Sequence, residues 1–164
     1  MRNQNQKIII LEGIDKSGKS FIGKLFQSVF GIPYYHGERS PASREELKTR
    51  SFEVAKIEMM QMYDILKQTG ISIIIDRWHL SELVYGKVYG RQIDENFIWD
   101  MDEKLADLGA VIVYVSAPLE VLKIRWNREK LIDFEEVKNI IDQYEKSIKK
   151  SKCKIIYYNP FGEY

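Results

Sequence analysis

Gly13-Ile14-Asp15-Lys16-Ser17-Gly18-Lys19-Ser20 fits the phosphate-binding loop pattern G-x-x-x-x-G-K-[S/T] at every fixed position. Ahead of it, Lys7-Ile8-Ile9-Ile10-Leu11 is a short apolar, β-branched run, the signature of a buried strand. Behind it, Phe21, Leu25 and Val29 recur at helical spacing. Strand, glycine loop and helix is the order that phosphate binding needs. Glycines let the backbone turn sharply and point consecutive N–H groups at one anion, and the helix N-terminus adds about half a positive charge. Gly13, Asp15, Lys16, Ser17, Gly18, Lys19 and Ser20 are therefore the expected phosphate contacts. In this pattern Lys19 reaches the β- and γ-phosphates of ATP, and the Ser20 hydroxyl holds Mg²⁺.

Further runs of the same kind extend the reading. Ile71 to Asp76 and Ala110 to Ser116 are apolar at almost every position, as in a parallel sheet covered on both faces. Ile32 to His36 and Lys154 to Tyr158 read as two more strands. Between them lie helical patterns. One begins at Ser43 and runs to Thr69 with Phe52, Ala55, Met59, Met62 and Leu66 as its stripe; shorter ones cover Ser81–Tyr89, Asp94–Leu108 and Leu119–Trp126. Asp133 caps a last one carrying Phe134, Val137, Ile140, Ile141, Tyr144 and Ile148. The alternation predicts an α/β fold with a five-stranded parallel sheet and helices on both faces. Ligands of such sheets bind beyond the carboxyl ends of the strands. That places the 13–20 loop, residues 36–41, Asp76-Arg77 and the segment after Ser116 on one rim.

Composition narrows the class. A chain of 164 residues is expected to form one domain, burying roughly 70 % of its unfolded surface. A net charge of +1 leaves no basic footprint for duplex nucleic acid, although a local groove stays open. Cys153 is the only cysteine, which excludes an internal disulfide and fits a reducing compartment. No apolar run reaches the ~18 residues of a membrane helix. The polar residues 1–6 enter a strand directly, without the pattern of a signal peptide. The expectation is a cytoplasmic protein with no membrane partner.

On the rim, Asp76 ends a strand where a carboxylate holds Mg²⁺ directly or through water. Arg77 is a planar, permanently charged fork suited to phosphate. Arg125 and Arg128 lie close together between two helices, where mobile arginines can neutralise the charge that spreads over a transferring phosphoryl group.

Three stretches carry a family resemblance. Leu11 to Ser20 resembles the opening of thymidylate kinases, E-G-[LV]-D-[KR]-x-G-K-[ST]. Asp76 to Tyr85 is similar to their D-R-[YH]-x-x-S-x-x-[AV]-[YF] block, and Ala117 to Val121 to the turn before their lid. The resemblance implies a P-loop NTPase three-layer sandwich of the nucleoside monophosphate kinase kind. It implies transfer of the ATP γ-phosphoryl group to dTMP with Mg²⁺, a small-molecule nucleotide partner, a compact lid near residues 125–133, and a homodimer.

By the same resemblance, Lys16 lies near the transferring phosphate and Asp15 near the acceptor phosphate. Arg77 bridges the two, Phe52 stacks on the base, and Tyr85 stands beside it. Arg125 and Arg128 belong to the lid, while Glu38 and Arg39 sit where the family contacts the acceptor phosphate. Lys56 replaces an arginine that the family places on the thymine carbonyl, and Phe21 replaces a threonine; the acceptor base therefore stays open. Two other classes also stay open. One is a kinase acting on a deoxynucleoside hydroxyl or on a hydroxymethylated base in DNA, for which Glu38 or Glu12 could serve as the base. The other is a nucleotide-binding regulatory domain without turnover.

Overall fold

β-Branched runs and glycine stops produce the elements in the expected order. They are β1 (Ile8–Glu12), α1 (Lys19–Phe30), β2 (Tyr34–His36), α2 (Phe52–Thr69), β3 (Ile73–Asp76) and α3 (His79–Val88), followed by α4 (Glu95–Leu108), β4 (Val111–Val115), α5 (Leu119–Asn127), α6 (Phe134–Lys150) and β5 (Lys154–Tyr158). The structure, a computed structural model, describes residues 5–36, 51–127 and 133–162. The expected helix start at Ser43 therefore lies outside the described residues, as do Glu38, Arg39 and Arg128. Asp94 caps α4 by accepting from the Phe97 amide, and Asp133 caps α6 by accepting from that of Glu135. Gly31 and Gly70 end α1 and α2 in the left-handed conformation that glycine adopts without strain.

The five strands are all parallel, in the order β2-β3-β1-β4-β5. Their side chains alternate between two cores. Ile8, Ile10, Ile75, Ile112 and Tyr114 meet α2, α3, α4, α5 and α6 on one face. Leu11, Ile74, Val113 and Val115 meet Ile22 of α1 on the other. Helices thus cover both faces, as a buried parallel sheet requires. The register sets His36 and Leu11 on either side of Asp76, and Glu12 beside Tyr114. The carboxyl ends of the strands therefore share one rim.

One detail differs from the periodicity. Phe21, Leu25 and Val29 signal the helix but are not the stripe it buries: they are 69, 43 and 65 % exposed. α1 instead docks through Ile22 and Gly23, with Phe26 partly buried beside them. Gly23 decides this orientation. A Cβ there would stand 2.2 Å from the Tyr34 ring, so only a glycine lets α1 close on β2.

Candidate active site

The 13–20 loop turns through backbone conformations that most residues avoid. Gly13 has φ 139°, Lys16 φ 67° and Gly18 φ 102°. A Cβ on Gly13 would lie 2.3 Å from the Val115 carbonyl oxygen, so the loop can lie against the end of β4 only with glycine here. The Ser17 amide donates back to the Ile14 carbonyl at 3.4 Å. Gly18 opens α1 with no side chain capping it, which leaves the helix N-terminus facing the loop. The Ser17 hydroxyl is buried and has no hydrogen-bond partner among the described residues.

Lys19 is 5 % exposed, and its Nζ donates to the Ile14 carbonyl at 2.6 Å. Burial first, then the neighbouring Arg77 charge, pushes its ammonium down to about 7, against the opposing pull of Asp15, Asp76 and Glu12. A lysine held so far below its ordinary value is short of counter-charge. An anion in the loop would supply it.

Asp76 lies beside the first turn of α1. Its Oδ2 accepts from Ser20 Oγ at 2.9 Å and from the Tyr34 hydroxyl at 2.6 Å, and lies 3.1 Å from His36 Nδ1. Its Oδ1 is buried and has no partner among the described residues. A buried carboxylate oxygen without a donor is costly unless a cation takes it up. The Ser20 hydroxyl donates to Oδ2, and its oxygen can still ligate a cation. This oxygen pair fits Mg²⁺, a hard cation held by one or two protein oxygens plus phosphates.

Arg77 follows β3 with φ 71°, and its amide donates to the Leu11 carbonyl at 2.9 Å. Its Nη2 pairs with Asp15 Oδ1, and its guanidinium lies 5.0 Å from the Tyr85 ring centroid. The Tyr85 hydroxyl donates to Asp15 Oδ2 at 3.1 Å and accepts from the Asp15 amide at 3.3 Å. Asp15 keeps half of its side-chain surface exposed although neighbouring atoms crowd it. Burial works to raise its carboxyl, but Arg77, Lys19, Tyr85 and Lys16 together hold it below the usual carboxylate value. Across the loop, Arg125 Nη1 donates to the Lys16 carbonyl at 2.6 Å, and its guanidinium lies 4.5 Å from the Phe161 ring.

Glu12, weighed above as a possible base, is fully buried and already taken up. Its Oε1 accepts from the amides of Trp78 at 3.0 Å and Ser81 at 3.3 Å. Its Oε2 accepts from Ser81 Oγ at 2.5 Å and from the Tyr144 hydroxyl at 3.5 Å. The carboxylate caps α3 and ties β1 to α6. Both of its oxygens are engaged, which leaves it poorly placed to take a substrate proton.

The structure therefore brings Asp15, Lys16, Lys19, Ser20, Asp76, Arg77, Tyr85 and Arg125 to one rim. Phe52 and Lys56 form a separate group on α2. Phe52 is 9 % exposed and packs edge-on to Phe97, with ring centroids 6.0 Å apart. Lys56 lies 5.0 Å over the Phe97 ring and 3.4 Å from Asp94 Oδ2. Tyr34 and Phe161 join the rim without having been singled out for it in the sequence, while His36 lies there as the 36–41 segment was expected to. Beside the loop, an apolar cavity of about 440 Å³ is lined by Ile14, Tyr114, Ser116, Pro118, Tyr157 and Asn159. Its charged lining residues are Glu145 and Lys149 of α6, and none of the charged rim residues lines it.

Solved structures match this fold over nearly the whole chain. The YorR protein from Bacillus subtilis, in complex with phosphorylated GDP, superposes with a TM-score of 0.73 at 22 % identity, covering 93 % of this chain and 85 % of that one. The fold is that of the P-loop nucleotide kinases. Deoxyadenosine kinase from M. mycoides with bound dATP shares this kinase fold at a TM-score of 0.64 and 20 % identity, over 96 and 93 % of the two chains. Thymidylate kinase from Ehrlichia chaffeensis does so at 0.59 and 14 %, over 96 and 89 %. No protein-family model matches the sequence, and no curated protein matches it. Among the described residues no helix is long and apolar enough to cross a membrane.

Proposed function

We propose that the protein is an ATP- and Mg²⁺-dependent kinase that phosphorylates a deoxynucleoside monophosphate, dTMP or a related pyrimidine nucleotide. The observation that carries this reading is Arg77. It stands in a left-handed conformation at the end of β3, with its guanidinium on Asp15 of the loop. A planar cation in that position can span two phosphates, one on each side of the loop. Gly13 to Ser20 bind the donor phosphates, Lys19 carries the charge among them, and Arg125 closes from α5. Ser20 and Asp76 would hold Mg²⁺, which when bound neutralises phosphate charge. Catalysis is then mostly positioning and charge neutralisation.

Among the described residues, which do not include Glu38, the rim carboxylates favour an acceptor that is already an anion. Glu12 is saturated, Asp15 is paired with Arg77, and Asp76 takes three polar neighbours on one oxygen. A phosphate acceptor has no need of a strong base, whereas a hydroxyl acceptor has. Phe52, Lys56, Tyr85, Glu38 and Arg39 are proposed as the acceptor side, and Arg128 as a lid residue, from the resemblance alone. A deoxynucleoside hydroxyl is the second reading, favoured by the higher TM-score of the deoxyadenosine kinase than of the thymidylate kinase.

The test is ATP consumption by the full chain with a panel of deoxynucleoside monophosphates, deoxynucleosides and single-stranded DNA. Turnover with a monophosphate, lost in Lys19→Ala while the protein stays folded, is the expected result. Turnover only with nucleosides selects the second reading. Tight ATP binding with no acceptor phosphorylated makes the protein a nucleotide-binding domain and overturns both kinase readings.

A further inference from the structure

Three polar groups converge on Asp76 Oδ2, while Oδ1 has none among the described residues. The shortest of these contacts is the Tyr34 hydroxyl at 2.6 Å. Tyr34 lies on β2, two residues before His36, whose ring stacks on it at 6.2 Å and 13°. The tyrosine ring lies over Gly23 of α1. A Cβ at Gly23 would stand 2.2 Å from Tyr34 Cε2, 2.7 Å from Cδ2 and 2.9 Å from Cζ. Glycine inside a helix is destabilising relative to alanine. The glycine here makes the notch through which the hydroxyl reaches the carboxylate.

We propose that Tyr34, seated by Gly23, is a positioning residue for Ser20 and Asp76, the pair that would hold Mg²⁺: its hydroxyl pins Oδ2 and so sets the turn of the whole carboxylate, Oδ1 included. The proposal rests on the reading of Ser20 and Asp76 as a magnesium pair. Without the Tyr34 donor, the carboxylate turns more freely and the orientation of Oδ1 is no longer set in advance. Ser20 is three residues before Gly23 on the same helix, so one face of α1 carries both the metal hydroxyl and the notch. Tyr34 touches neither phosphate nor metal in this arrangement; it acts through Asp76 and the neighbouring Ser20 hydroxyl.

The experiment measures Mn²⁺ affinity by electron paramagnetic resonance, on the full chain saturated with a non-hydrolysable ATP analogue. Affinity for the analogue in EDTA is measured alongside by calorimetry. Tyr34→Phe keeps the ring and removes the hydroxyl; it should weaken Mn²⁺ about tenfold, the worth of one hydrogen bond to a charged group, with affinity in EDTA unchanged. Gly23→Ala displaces the ring and should give the same loss, and the double variant should lose no more than either alone. Wild-type Mn²⁺ affinity in folded Tyr34→Phe overturns the proposal. So does an equal loss with and without metal, which is what a general packing defect would produce. A wild-type protein that binds the analogue equally with and without metal overturns the magnesium-pair reading itself, and the two failures are thereby told apart.

Discussion

Replacing Lys19 by methionine should stabilise the protein in the absence of ligand, and the gain should shrink as pH rises. The folded protein holds this ammonium at about 7, against an ordinary value of 10.5, with burial the largest cause. Between those two values the unfolded chain binds more protons at this site than the folded one, so the wild type gains stability with rising pH. Integrating the two titrations gives a folded-state cost of about 4 kcal/mol at pH 7 and about 2 kcal/mol at pH 9. The hydrogen bond from Nζ to the Ile14 carbonyl offsets part of it, by about 1.5–3 kcal/mol for a charged donor. Lys19→Met should therefore be more stable by roughly 1–3 kcal/mol at pH 7 and close to wild type at pH 9. At this chain length the difference in melting temperature should narrow by about 4–8 °C between the two pH values. Thermal melts of both proteins at pH 7 and pH 9 without nucleotide are the assay, and the pairwise difference cancels every other titrating group. A gap independent of pH, or a variant less stable than wild type at pH 7, would refute the argument that this lysine is buried short of counter-charge.

Three further outcomes follow from the same geometry. Gly13→Ala places a Cβ 2.3 Å from the Val115 carbonyl oxygen at φ 139°, so it should cost at least about 2 kcal/mol in thermal melts and remove binding of a fluorescent ATP analogue; a variant that melts and binds like wild type contradicts the loop conformation. Ser81→Ala takes the closest donor from buried Glu12 and should lower stability by about 1–3 kcal/mol in urea unfolding, an effect absent if solvent reaches that carboxylate. Arg77→Lys keeps the charge but loses the fork over Asp15 and Tyr85, so turnover should fall by about tenfold or more with ATP affinity nearly kept; an equal fall in both would make Arg77 a simple binding group.

The loop, the strands and the rim were legible because their signals are local. Residues 13–20 state a backbone shape, and β-branched runs state burial on both sides of a sheet. What was hidden depends on topology. Tyr34 and His36 reach Asp76 only because β2 pairs with β3 in a register that sets His36 opposite Asp76, a fact that no spacing along the chain contains. Tyr144 and Glu12 are 132 positions apart, and Arg125 and Lys16 are 109 apart. The stripe that marks α1 as a helix is not the face it buries, for a related reason. Phe21, Leu25 and Val29 carry more apolar surface than Ile22 and Gly23, but the missing side chain at Gly23 is what lets the helix approach β2. Phe52 and Lys56 came from resemblance, and their contacts with Phe97 and Asp94 could not have been drawn from the helical pattern of α2.

Three cations from three different elements each rest on one of three successive loop residues. Lys19 of α1 donates to the Ile14 carbonyl, Arg77 after β3 pairs with the Asp15 carboxylate, and Arg125 of α5 donates to the Lys16 carbonyl. These partners differ in what a phosphate could gain by replacing them. Lys19 and Arg125 now hold neutral oxygens, so in the kinase reading proposed above exchanging a carbonyl for a nucleotide phosphate is favourable. Arg77 already holds an anion, and exchanging Asp15 for a phosphate gains little in the ground state. Its advantage comes when charge moves between two phosphates and the planar fork can meet both. An interaction that strengthens only at that moment lowers the barrier without tightening substrate binding. The same loop therefore divides the labour. If the proposed kinase reading holds, Lys19 and Arg125 would supply affinity, and the Arg77–Asp15 pair would keep the third cation in reserve for the transfer itself.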